Sequence, residues 1–149
     1  MTINREAIRK WCEALESGKY KQGYGALTQV DCDGNEEDCC LGVAAKTFPE
    51  IAPAVRKQIV RSFAGKEVVA YGDEEEIAWD TLPRKLAVFL GINDSGRFPA
   101  GYFASLPSVR QKVFDCFPIN SLMELNDEAK YSFKQIAKVI RKQFLGEDV

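Results

Sequence analysis

Apolar residues recur at helical spacing at both ends of the chain and alternate or cluster between them. Near the start, Ile8, Trp11, Cys12 and Leu15 share one side of a 3.6-residue repeat, with Asn4 placed to cap the helix and Gly18 to end it. This predicts a helix over 4–17 with Trp11 as its core anchor. A glycine-rich loop over 18–25 then leads into a short alternating strand over 26–30. Asp33-Gly34 is a hairpin turn signal, so a second arm is expected over 37–41. The run Gly42-Val43-Ala44-Ala45-Lys46-Thr47-Phe48 reads as a helix that stops at Pro49.

After Pro53, the spacing of Val55, Ile59 and Phe63 predicts another helix, closed by Gly65. Lys66 to Tyr71, around Val68-Val69, reads as a second short strand pair or an edge strand. Asp73-Glu74-Glu75-Glu76 is a solvated charge run. Thr81 is placed to cap a helix carrying Leu82, Leu86, Phe89 and Leu90, with Gly91 at its end. Residues 92–104 form a long loop whose Phe98, Tyr102 and Phe103 serve either as a partner contact or as packing onto the core. A helix from Ser105 carries Val109, Val113, Phe114 and Phe117 up to Pro118. Asn120 is placed to cap a short helix ending near Leu125-Asn126-Asp127, where Asn126 suits a left-handed C-cap. Ser132 and Gln135 make a capping box for a last helix with Phe133, Ile136, Ala137, Ile140 and Phe144 on its face.

These elements predict one α+β domain over 1–149, mainly helical, around a small antiparallel β-hairpin sheet. The terminal helices are expected to pack together, with Cys39, Leu41 and Val43 feeding the core. A chain of 149 residues can bury roughly 68–70% of its unfolded surface. With 46% hydrophobic residues and no apolar run of about 18, it is expected to fold without crossing a membrane. Residues 1–6 lack a basic segment followed by an apolar core, so no signal peptide is expected.

Charge and chemistry narrow the function classes. A net charge of −2 argues against nucleic acid, although Lys134, Lys138, Arg141 and Lys142 share one face of the last helix. Five cysteines fit a reducing cytoplasm better than a disulfide scaffold. The chain has no histidine, which removes Ser-His-Asp and Cys-His mechanisms and the usual zinc partner of cysteine. We therefore expect neither metal nor cofactor. Cys32, Cys39 and Cys40 lack the spacing of zinc knuckles, and adjacent cysteines on a strand would point to opposite faces, one inward and one toward an edge.

Two readings of the remaining polar residues stay open. Cys39 or Cys40 at a helix N-terminus would gain thiolate character from the helix dipole, with Lys19, Asp127 or Glu124 as the base; neighbouring carboxylates oppose this. Such a site would make a small cysteine-dependent enzyme acting on an amide or nucleotide-like substrate. Alternatively, Lys19, Tyr20 and Gln22 of the glycine-rich loop, with Asn126 and Asp127, line a pocket for a ligand. Asp31–Asp38 and Asp73–Asp80 also hold five carboxylates each, which suit a solvated surface first, and otherwise docking on a basic host protein or mimicry of nucleic acid.

The order of motifs adds a resemblance. Trp11, Ala14-Leu15-Glu16-Ser17-Gly18-Lys19-Tyr20 and Gln22-Gly23 come first, followed by Cys39-Cys40-Leu41-Gly42-Val43. Leu82-Pro83, Leu90-Gly91-Ile92, Leu125-Asn126-Asp127, Ser132-Phe133 and Ile136-Ala137 complete the series. The whole is similar to a family of small proteins encoded by bacteriophages and prophages. That resemblance implies a phage gene product acting in the host cytoplasm. The leading expectation for its role is a non-enzymatic accessory protein that binds a host macromolecule or small ligand. It brings no catalytic roles with it.

Overall fold

Each terminal helix is fixed by its cap. The computed structural model describes residues 2–61, 66–98 and 120–147, with the backbone alone for 56–61. In α1 (Arg5–Glu16) the Asn4 side chain accepts from the Ala7 N–H, and Ala7, Ile8, Trp11, Cys12 and Leu15 are buried. At the other end, the capping box of Ser132 and Gln135 opens a helix over Phe133–Leu145, which buries Phe133, Ile136, Ala137, Val139, Ile140 and Leu145. The two helices pack on each other. Arg141 spans their edges, reaching Glu16 at 2.7 Å and Glu147 at 3.6 Å. This residue of the basic face is thus committed to packing, whereas Lys134 and Lys138 are exposed.

Between these helices in chain order comes an antiparallel sheet. Strands β1 (Thr28–Val30) and β2 (Glu36–Asp38) form the hairpin, with Thr28 opposite Asp38 and Val30 opposite Glu36. The Asp31 carboxylate accepts from the Asp33 and Asn35 N–H groups at 2.9 Å each, and these backbone bonds hold its pKa below the usual carboxylate range. Then comes α2 (Cys40–Thr47), starting two residues earlier than its apolar run predicts. Strands β3 (Ala54–Arg61) and β4 (Glu67–Gly72) follow, and β5 (Ile77–Ala78) pairs with the end of β4. The order is β2-β1-β4-β3, so β4 is a central strand of the one sheet and buries Val68, Val69, Ala70 and Tyr71. It is not the edge strand or separate pair that its short apolar run suggests, because β1 and β3 pair on either side.

The segment after Pro53 is a strand, not the helix that its apolar spacing predicts. A spacing of four is even, so the same pattern is compatible with strand alternation, and β-branched residues favour that choice. Pairing with β4 decides it, through Val55 opposite Ala70 and Val60 opposite Val68, with a register shift between them. Phe63 and Gly65 lie outside the described residues, as do Tyr102, Phe103 and the helix expected from Ser105.

Helix α3 (Arg84–Leu90) begins at Pro83 rather than Thr81, because proline's fixed φ suits the entry and leaves Leu82 as a buried residue ahead of it. Gly91 ends it in the left-handed region at φ 78°, and a Cβ there would lie 2.0 Å from the Thr2 carbonyl oxygen. The N-terminal chain is stitched to this end by Asn4 N–H donating to Leu90 O at 3.0 Å. Phe98 is buried against the core and tilts against Phe144 at 6.4 Å. Helix α4 (Leu122–Asp127) is capped by Ser121 instead of Asn120, and α5 is the last helix, Phe133–Leu145. The left-handed residue of the α4–α5 connection is Lys130, at φ 55°, while Asn126 stays helical.

One hydrophobic cluster joins all five described helices to β1 and β4. Leu41, Leu86, Leu125, Ile136 and Ile140 are among its fully buried members. Each contributes about 1.5–3 kcal/mol relative to exposure. The fold is α+β. Among the described residues no helix is long and apolar enough to cross a membrane.

Candidate functional site

The adjacent cysteines sit at the start of α2, not on a strand, and both are buried. The expectation of one inward and one edge-facing thiol fails because helical geometry replaces strand alternation at this point. Cys39 is the N-cap, its sulfur accepting from the Gly42 N–H at 3.4 Å. Cys40 donates its S–H to Leu122 O at 3.5 Å, and its own carbonyl accepts from the Trp11 indole at 2.9 Å. Burial pushes the Cys39 thiol up to about 12, outweighing the helix-end N–H that favours thiolate. Burial pushes Cys40 well above the ordinary value too.

With burial holding its pKa far above the ordinary thiol value, Cys39 is expected to stay protonated at pH 8. Iodoacetamide on the native protein is therefore expected to label Cys32, which is exposed, and to spare Cys12, Cys39 and Cys40. Peptide mapping by mass spectrometry checks this. Labelling of Cys39 or Cys40 as fast as Cys32 would restore the nucleophile reading.

Beside them lies Asn126, completely buried, with every hydrogen-bonding position of its amide filled. Its Oδ1 accepts from Gln22 Nε2 at 2.8 Å and from the Cys40 N–H at 3.2 Å. Its Nδ2 donates to Gly23 O at 2.9 Å and to Asp127 Oδ1 at 2.8 Å. An amide oxygen accepts two bonds and an amide NH₂ donates two, so none is left over for a ligand. Gln22 spends its second N–H on Tyr131 O at 2.7 Å. Three segments far apart in sequence thus meet at one side chain: the glycine-rich loop, the start of α2, and α4.

Asp127 lies half-buried at the edge of this node. Burial raises its pKa, against the lowering effect of hydrogen bonds from Asn126 and the Gly25 backbone. Lys130 stands 3.9 Å over the exposed Tyr24 ring next to it. Lys19 is exposed, and Tyr20 lies under Lys46, whose Nζ is 5.8 Å from the ring centre. Of the expected pocket residues, then, Gln22, Asn126 and Asp127 converge with Cys40, and Lys19 and Tyr20 take no part in the Asn126 hydrogen bonds.

A second polar centre lies on the sheet. Thr28 donates to Asp38 Oδ1 at 2.5 Å, which leaves the Tyr71 hydroxyl to donate to Thr28 Oγ1 at 2.7 Å. Lys46 reaches Asp38 Oδ2 at 3.0 Å and Glu36 at 3.4 Å. Burial raises the Asp38 pKa, and the bonds from Thr28 and Lys46 pull it down. One buried carboxylate therefore ties β1, β2, β4 and α2 together. Sequence reasoning missed this centre, although a turn centred on Asp33 already places Thr28 opposite Asp38.

The open polar surface lies elsewhere, around the turn from β4 to β5. Asp73 Oδ1 accepts from the Glu75 and Glu76 N–H groups at 2.9 and 3.2 Å, which fixes the turn. A 220 Å³ cavity on one side is lined by Ile51, Asp73, Glu75, Glu76, Pro83 and Lys85. A cleft of 390 Å³ on the other side is lined by Val55, Ile77 and the four acidic residues. Lys85 hydrogen-bonds Asp73 and comes within 4.0 Å of Glu75, and its bond holds the Asp73 pKa below the usual range. Just beyond, Ile77 and Trp79 are 36% and 37% exposed, against complete burial of the other tryptophan. The charge run was legible in sequence; the outward-facing tryptophan beside it was not. Among the described residues no group of three His, Cys, Asp or Glu is placed to hold a metal ion.

No curated protein and no solved structure matches the chain. A family model described as a domain of unknown function, DUF8296, matches residues 3–144, from ahead of α1 to the last residue but one of α5. The chain belongs to the DUF8296 family.

Proposed function

We propose that this protein works by binding rather than by catalysis, as a phage accessory protein that engages a host macromolecule in the cytoplasm. The phage assignment rests on the Cys-Cys-Leu-Gly-Val and Leu-Asn-Asp…Ser-Phe resemblance. The binding assignment is carried by one contrast: the conspicuous cysteine–asparagine centre is closed, while Ile77 and Trp79 stand open beside a fixed acidic turn. Two residues apart at the end of β5, they offer together the aliphatic and aromatic anchors on which protein interfaces depend. Ile77 also lines the 390 Å³ cleft together with Val55 and the acidic turn, a mixed apolar and acidic surface as expected for a contact face.

The test is retention from a bacterial lysate on the immobilised protein, against an Ile77→Ser/Trp79→Ala variant. Both side chains are partly solvated, so the urea midpoint of the variant is expected to stay close to that of the parent. A bacterial protein held by the parent and lost by the folded variant is the expected result. Identical retention by both would overturn the reading, as would retention of nothing by the parent.

A further inference from the structure

We propose that Ile77, Trp79 and the carboxylates around them receive a lysine- or arginine-bearing segment of a partner protein, and that Lys85 is an internal stand-in for the incoming cation. The inference rests on the binding reading above and names the chemistry of its partner. Between residues 73 and 80 the chain carries Asp73, Glu74, Glu75, Glu76 and Asp80 around Ile77 and Trp79. Glu74 and Asp80 have no ion-pair partner among the described residues. Apolar side chains line the same two cavities as the carboxylates, Ile51 and Pro83 in one and Val55 and Ile77 in the other. Such a combination suits a long basic side chain, whose methylenes cover apolar surface while its charged head meets carboxylate.

Lys85 already makes that contact from within, its ammonium on Asp73 and near Glu75, in the 220 Å³ cavity. The turn needs no rearrangement to accept a cation, because Asp73 is held by two backbone N–H groups and by its own N–H donating to Glu76 O at 2.9 Å. A nucleic acid would meet five like charges here, and a bare metal ion would leave Trp79 and Ile77 unused. A basic protein segment uses both features.

The probe is a short alternating arginine–valine peptide, with its glutamate–valine counterpart as the control, followed by tryptophan emission and calorimetry. Trp79 is the exposed reporter, since Trp11 is buried. The arginine peptide is expected to bind, more weakly as salt rises, and the glutamate peptide not to bind. Glu74→Gln/Glu75→Gln is expected to weaken binding about tenfold; both side chains are exposed, and Asp73 and Glu76 are left in place to keep the turn. Lys85→Met is expected to tighten binding about threefold by removing the competitor.

Lys134→Met, which removes the same charge from α5, separates that effect from net charge and is expected to change little. Equal tightening by Lys85→Met and Lys134→Met would overturn the stand-in role. Equal binding of both peptides, or indifference to the glutamate changes, would overturn the basic partner. If lysate retention still depends on Trp79 in that case, the binding reading stands and only the partner chemistry fails.

Discussion

Asn126→Ala is expected to lower the unfolding free energy by roughly 3–5 kcal/mol, a large part of the roughly 5–15 kcal/mol that holds a domain together. The substitution removes four hydrogen bonds at once. It leaves the buried Cys40 N–H and Gly23 carbonyl without these partners, and each buried unsatisfied group costs about 1–3 kcal/mol. Urea unfolding followed by circular dichroism measures the loss. A change below about 1 kcal/mol would mean that other groups or water replace the amide.

Asn126→Asp sharpens the assignment. An aspartate keeps the acceptor facing Gln22 and Cys40, but its second oxygen meets the Gly23 carbonyl and the Asp127 carboxylate. Burial and that neighbour raise the new carboxyl's folded pKa above its unfolded value. The associated stability is therefore present below the unfolded pKa and lost as pH rises through the folded one. Relative to the parent, Asn126→Asp is expected to be least stable near neutrality and to recover as pH falls toward 4.

How far the sequence reveals this arrangement depends on the range of the forces involved. Helices α1 and α5 are legible because cap, periodicity and apolar face all lie within a few residues of one another. So is the hairpin, since Asp33-Gly34 sets its turn locally. Strand β3 is not, because the spacing of Val55 and Ile59 fits a helix and a strand alike, and pairing with β4 chooses between them. Gln22, Asn126 and Asp127 could be picked out as polar residues near motifs, yet their state could not. Whether an asparagine is an open ligand site or a closed joint depends on partners such as Gln22, 104 residues away. The same distance hides Asp38, whose partner Tyr71 arrives through Thr28 from another strand. Exposure of Trp79 is likewise a tertiary fact, invisible to a composition that makes every tryptophan a core candidate.

Gly42→Ala sets local preference against packing, and the two predict opposite signs. Gly42 lies in the first turn of α2, where alanine would stabilise an isolated helix by about 0.8–1 kcal/mol. A Cβ at this position would fall 1.8 Å from Leu27 O and 2.6 Å from Leu27 C, both backbone atoms. That carbonyl accepts from the Cys39 N–H at 3.0 Å, and the Leu27 N–H is bound to Trp79 O at 2.7 Å, so neither side can yield cheaply. Moving α2 away would break the Cys39 N–H bond to Leu27 O and pull Cys40 from both Trp11 and Asn126. Gly42→Ala is therefore expected to destabilise by about 4 kcal/mol or more, beyond the usual range for a single substitution. Gly34→Ala supplies the contrast: φ is 82° there, but nothing lies within 4 Å, so only the left-handed backbone cost of about 1–2 kcal/mol is expected. If urea unfolding gave equal losses for the two variants, close approach of α2 to Leu27 would not be what Gly42 secures. A larger loss at Gly42 would give the Cys-Cys-Leu-Gly-Val motif a physical meaning: a capped helix start pressed against the sheet, its cysteines in the role of packing groups and not of reagents.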